Sequence, residues 1–76
     1  MLQKSREVTF INKKRLWLIS FRKKAGLTQQ EVSKLCDITQ QAYGQYETGQ
    51  RRPNPENCKK IAKILNFKWT KFYDEK

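Results

Sequence analysis

A chain of 76 residues has room for one small domain, and a hydrophobic share of 37% supports a modest core. Lys and Arg number 17 against 7 acids, so a net charge of +10 sits on a small surface and points to a polyanionic partner, nucleic acid first and an anionic membrane second. There is no histidine, the acids are scattered without a paired-carboxylate site, and no glycine loop could cradle a phosphate, which speaks against an enzyme.

Residues 1–12, MLQKSREVTFIN, lack helical periodicity, and Val8, Thr9, Phe10 and Ile11 favour an extended form. They are expected to be an arm or short strand ahead of a domain spanning 13–76. A first helix is predicted from Lys13 to Ala25, with Leu18, Phe21 and Ala25 on one face beside Trp17, and Gly26 as its stop. Thr28-Gln29-Gln30-Glu31 is a capping-box pattern that opens a second helix, about Gln29 to Cys36, with Val32 and Cys36 apolar and Ser33 small between them. Asp37 can take the left-handed backbone of a tight turn. Thr39 is then a good N-cap for a third helix, about Gln40 to Glu47, whose Tyr43 and Tyr46 face the core together. Gln40, Gln41, Gly44 and Gln45 are left facing outward. Gly49 closes that helix, and Gln50-Arg51-Arg52-Pro53 is a basic loop. Asn54 as N-cap and Pro55 in the first turn open a fourth helix to about Leu65, carrying Cys58, Ile61, Ala62 and Leu65 on one face. A last short helix, about Trp69 to Tyr73, supplies Trp69, Phe72 and Tyr73 as a lid.

No stretch approaches a membrane span and no signal segment opens the chain, so a cytoplasmic protein is expected. Cys36 and Cys58 are widely spaced and have no histidine to complete a zinc pattern; both are expected as buried free thiols. No metal or cofactor is expected.

The segment 29–48 carries the functional argument. Two short helices joined by a turn of a few residues must cross steeply, which is the helix-turn-helix pattern, and the second helix is then held proud of the body where it can enter a major groove. A glutamine amide presents a donor and an acceptor side by side. That pair matches the N6 donor and N7 acceptor of adenine, and one good bidentate contact discriminates by about 1–3 kcal/mol. Gln40, Gln41, Gly44 and Gln45 occupy the places where base-reading groups belong. Gly44 weakens the helix by roughly 1 kcal/mol relative to alanine, and a close approach of backbone to DNA is one reason for it. Arg51 and Arg52 follow the reading helix, where a loop would meet phosphates. Gln29, at a helix N-terminus with free N–H groups, can hold another phosphate. Lys59, Lys60 and Lys63 are either further phosphate contacts or the solvated face of the fourth helix.

The stretch GLTQQEVSKLCDITQQAYGQYETGQRRP resembles the Cro/C1-type (XRE) helix-turn-helix family, which includes the lambdoid phage repressors, and KKIAKILNFKWTKFY is similar to that family's final helices. The resemblance covers about Leu16 to Tyr73. It implies an all-α, compact five-helix bundle that binds double-stranded DNA, usually as a symmetric homodimer on a palindromic operator. It implies base reading by Thr39-Gln40-Gln41 and Gln45, and phosphate or backbone contacts at Gln29, Thr39 and Thr48. It also implies a partly buried salt bridge between Arg22 and Glu47 that orients the reading helix. The sequence departs from the pattern at Asp37, where glycine is usual, at Ser33, where alanine is usual, and at Tyr43, which is bulkier than the common aliphatic residue. With no separate oligomerisation segment after the last helix, any dimer is expected to form through this domain. The expected function is therefore a small transcriptional regulator, a repressor that occupies a promoter. Two alternatives stay open: an antitoxin or adaptor-type protein-interaction module using the Trp69, Phe72 and Tyr73 patch, and a sequence-blind architectural DNA binder.

Overall fold

The computed structural model describes residues 14–74. In chain order they form α1 (Leu16–Lys24), α2 (Gln29–Cys36), α3 (Gln40–Thr48), α4 (Pro55–Leu65) and a closing 3-10 helix (Trp69–Tyr73). The described residues are all-α with no strand, and within them the bundle holds four α-helices and a 3-10 turn rather than five α-helices. The arm expected at 1–12 lies outside the described residues.

Local chemistry sets most of these boundaries. At α2, Thr28 Oγ1 accepts from the Glu31 N–H at 3.1 Å and Glu31 Oε1 accepts from the Thr28 N–H at 2.8 Å, a complete capping box. Thr39 Oγ1 accepts from Ala42 N–H at 3.0 Å to open α3, and Asn54 Oδ1 accepts from Asn57 N–H at 2.8 Å to open α4. Asp37 stops α2 in the left-handed region (φ 58°, ψ 46°), with its N–H on the Lys34 carbonyl and the Ile38 N–H on the Ser33 carbonyl. The family's usual glycine is thus replaced at a position that does require positive φ, and aspartate tolerates it.

Two elements differ from the sequence expectation. The first helix begins at Leu16, not Lys13, because Arg15 is non-helical (φ −86°, ψ 78°) and gives its N–H to the Glu47 carbonyl at 2.8 Å. A tertiary hydrogen bond thereby overrides the good helix propensity of Lys14 and Arg15. The closing Trp69–Tyr73 element is 3-10, with i→i+3 bonds such as Lys71 N–H to the Lys68 carbonyl at 2.9 Å. A five-residue run of three aromatics, Thr70 and Lys71 is too short to propagate an α-helix.

The core gathers Leu18, Val32, Cys36, Tyr43, Tyr46, Cys58, Ile61, Leu65 and Phe72. Both cysteines are free and buried, and burial pushes the Cys36 thiol above its ordinary range. The 3-10 helix closes the bundle by inserting Phe72, which meets Trp17 edge-on at 5.0 Å between ring centroids and lies 5.8 Å from Phe67. Each fully buried side chain of this size contributes about 1.5–3 kcal/mol. Leu18, wholly buried on α1, is one whose truncation to alanine would cost about 2–5 kcal/mol. The outcome for the site is mechanical: α3 rests its Tyr43, Tyr46 and Glu47 side on the body and leaves Gln40 and Gln41 exposed at its start, with Gly44 and Gln45 half-buried.

Candidate nucleic-acid interface

Helix α3 divides cleanly. Tyr43, Tyr46 and Glu47 are buried, while Gln40 and Gln41 are exposed and Gly44 and Gln45 are half-buried. A Cβ at Gly44 would lie 3.6 Å from Gln29 Oε1, an ordinary contact distance, so this part of α3 runs beside the start of α2. Gln45 Oε1 accepts from Arg51 Nη1 at 3.4 Å, which brings a candidate base reader against a candidate phosphate contact. Thr39 is exposed, with its hydroxyl committed as the helix cap. Thr48 is half-buried; its hydroxyl donates to the Gln45 carbonyl at 3.1 Å and accepts from Gln50 N–H at 3.5 Å.

The inward side of α3 is organised by one carboxylate. Glu47 has 2% side-chain exposure, which would be costly for a charge without partners. Its Oε2 accepts from Arg22 Nε at 2.6 Å and from the Tyr43 hydroxyl at 2.7 Å. Its Oε1 accepts from Gln29 Nε2 at 2.8 Å and Arg22 Nη2 at 3.3 Å. The fork geometry of the guanidinium suits a two-point contact with a carboxylate. Arg22 also donates to the Leu27 carbonyl at 3.0 Å, so α1, the α1–α2 turn, the first residue of α2 and the last turn of α3 meet at this point. The hydrogen bond to Glu47 raises the Arg22 pKa above its ordinary value. Burial, followed by the hydrogen bond to Glu47, pushes the Tyr43 hydroxyl far above its usual range. The bulk of Tyr43, a departure from the family pattern, is taken up entirely inside, with a ring of 0% exposure and a hydroxyl on Glu47.

The cationic groups fall into two sets. Arg51 and Arg52 are exposed on the loop after α3, and the Arg52 guanidinium lies 5.3 Å from the centroid of the exposed Tyr73 ring. On α4, Lys59 Nζ is 4.9 Å from the Trp69 ring centroid and Lys60 pairs with Glu56 at 3.8 Å in an exposed i,i+4 contact, while Lys63 is exposed. Surface pairs of that kind contribute little to stability. Among the described residues no group of three or more histidine, cysteine or acidic side chains could hold a metal, and no helix is long and apolar enough to cross a membrane.

Sequence reasoning missed two participants. The sequence pattern marks Tyr43 only as a core ring, although its i,i+4 spacing to Glu47 is a usable signal. Nothing in the local sequence marks Arg15. It is 7% exposed, and its Nη1 donates to the carbonyls of Tyr46 and, at 2.8 Å, Arg51.

With this geometry in hand, two comparisons bear on what the chain is. A helix-turn-helix family model matches residues 18–72. A protein described as an uncharacterized HTH-type transcriptional regulator, YqaF of Bacillus subtilis (strain 168), is 39% identical over 61 residues, covering 80% of each chain.

Proposed function

This chain belongs to the Cro/C1-type helix-turn-helix family, and from that premise we propose that it is a small transcriptional regulator that reads duplex DNA by laying α3 in the major groove. The observation that carries the reading is the division of α3, in which Glu47 and the tyrosines lock one side to the body while Gln40, Gln41 and Gln45 stand on the other. A helix fixed in this way can present amides to base edges in one orientation, which bidentate recognition requires. Gln29, whose Nε2 is taken by Glu47, offers its main-chain N–H at the start of α2 to a phosphate. Arg51 and Arg52 contact the backbone beyond the reading helix, with Thr39 and Thr48 at its two ends.

The natural operator is a palindrome bound by a homodimer, because two such helices related by two-fold symmetry cover half-sites about one helical turn, or roughly 34–36 Å, apart. Repression then follows from occupation of a promoter. Selection of binding sites from a random duplex library at near-physiological salt tests the reading. It should enrich a two-fold symmetric motif with adenines facing the glutamines. Strong binding without any enriched sequence would overturn it in favour of a sequence-blind binder. No binding at all would direct attention to a protein partner.

A further inference from the structure

We propose that Arg15 is a positioning residue for DNA recognition, fixing where the cationic loop 49–54 stands relative to the outward face of α3. This rests on the functional reading above and names what sets the register between its two kinds of contact.

Arg15 precedes α1, yet its contacts lie at the far end of α3. Its main-chain N–H donates to the Glu47 carbonyl at 2.8 Å, and its Nη1 donates to the carbonyls of Tyr46 and Arg51. One residue therefore gathers three carbonyls from both sides of the Thr48-Gly49-Gln50 turn. The carbonyls at a helix C-terminus lack intrahelical partners and carry the negative end of its dipole, so a buried cation is favoured there. The Phe72 ring, 5.5 Å from the guanidinium carbon, closes over the group and limits its motion.

The arrangement divides labour between two buried clusters. Arg22, Gln29 and Tyr43 fix the roll of α3 through Glu47. Arg15 fixes the loop that leaves α3, since Arg51 is the residue whose carbonyl it holds and Arg52 follows directly. Without Arg15, the loop stays tied to α3 through the Gln45 carbonyl, which accepts from Gly49 N–H at 3.1 Å and Arg51 N–H at 3.3 Å. The main chain that carries Arg51 and Arg52 would then lose its tie to the body at the Arg51 carbonyl, leaving Arg51 attached to α3 alone, through the Gln45 carbonyl and the 3.4 Å contact with Gln45 Oε1. Phosphate contacts set register while base contacts set sequence, so loosening the link penalises binding that needs both at once. Binding to unrelated duplex needs only charge near phosphates, and tolerates the slack.

The test compares the parent chain with Arg15→Met and Arg15→Lys on two duplexes, the sequence enriched by selection and an unrelated one. Each variant is first checked by circular dichroism to be folded at the assay temperature. Arg15→Met should lower affinity for the enriched duplex about tenfold and for the unrelated duplex at most about threefold. Arg15→Lys, which keeps the charge but offers no flat fork to two carbonyls and a ring, should fall between. If Arg15→Met does not fold, Arg15→Lys decides alone, a lowered ratio supporting the proposal and an unchanged ratio refuting it. An equal loss on both duplexes, or none, overturns the positioning role. If the parent itself discriminates no sequence, the functional reading fails first and this inference goes with it.

Discussion

Replacing Glu47 by alanine removes the acceptor of three side chains at once: Arg22, Gln29 and Tyr43. Breaking a buried ion pair by deleting one partner costs about 3–5 kcal/mol, because the other charge is left without compensation. Here the lower end applies, since Arg22 keeps 14% exposure and its bond to the Leu27 carbonyl. Tyr43 is the harder loss, as its hydroxyl sits on a ring with 0% exposure and loses its partner in the interior. A domain of this length has a total stability of about 4–11 kcal/mol, so a loss of about 3 kcal/mol leaves it marginal. Urea denaturation followed by Trp17 and Trp69 fluorescence should show a midpoint lowered by about 3 M if the slope is near 1 kcal/mol/M. The double replacement Arg22→Met with Glu47→Met should cost less than Glu47→Ala, since two apolar partners of similar size avoid a lone buried charge. A midpoint shift under about 0.5 M for Glu47→Ala at unchanged slope would refute the reasoning. It would mean that solvent already reaches the carboxylate and that the cluster does not hold α3.

Four further outcomes follow from the same geometry. Gln40→Ala should relax preference at one base pair by about 1–3 kcal/mol, whereas Arg52→Ala should weaken all sequences alike and reduce the salt slope by about one, both read from binding isotherms at several salt concentrations. Gly44→Ala should raise stability by about 0.5–1 kcal/mol, because the new methyl meets only an ordinary contact with Gln29 at 3.6 Å; a fall in the melting temperature would show that α2 and α3 cannot accommodate it. Tyr43 has a folded-state pKa well above its ordinary value of 10.0. Above that pH the unfolded chain therefore binds fewer protons than the folded one, and this group's contribution declines as pH rises. Denaturation of the parent should steepen with pH above about 10 relative to Tyr43→Phe; parallel curves for the two proteins would contradict the buried hydroxyl.

What was legible in the sequence was what local chemistry decides. The caps at Thr28, Thr39 and Asn54 bind N–H groups three residues on, so their pattern is written in adjacent letters. Asp37 and Gly49 likewise announce turns, and both adopt positive φ. Arg22 and Glu47, 25 residues apart, were visible only through the family resemblance, since no local spacing joins them. Arg15 was illegible by any such route. Its side-chain partners are main-chain carbonyls 31 and 36 residues away, and a carbonyl leaves no mark on residue identity. The same long-range bond to Glu47 displaced the start of α1. The last element was legible as a short helical lid that buries Phe72, and its 3-10 form follows from a length that cannot propagate an α-helix.

The nine residues of α3 answer to two separate demands. Tyr43, Tyr46 and Glu47 are buried against the body, whereas Gln40 and Gln41 are exposed and, among the described residues, stand outside the core. Such a helix can be rewritten on one side and left intact on the other. Substitutions at 40 and 41 would exchange one preferred operator for another with melting temperature unchanged, so a set of chains with mutually exclusive targets could be built from this scaffold by altering a pair of letters.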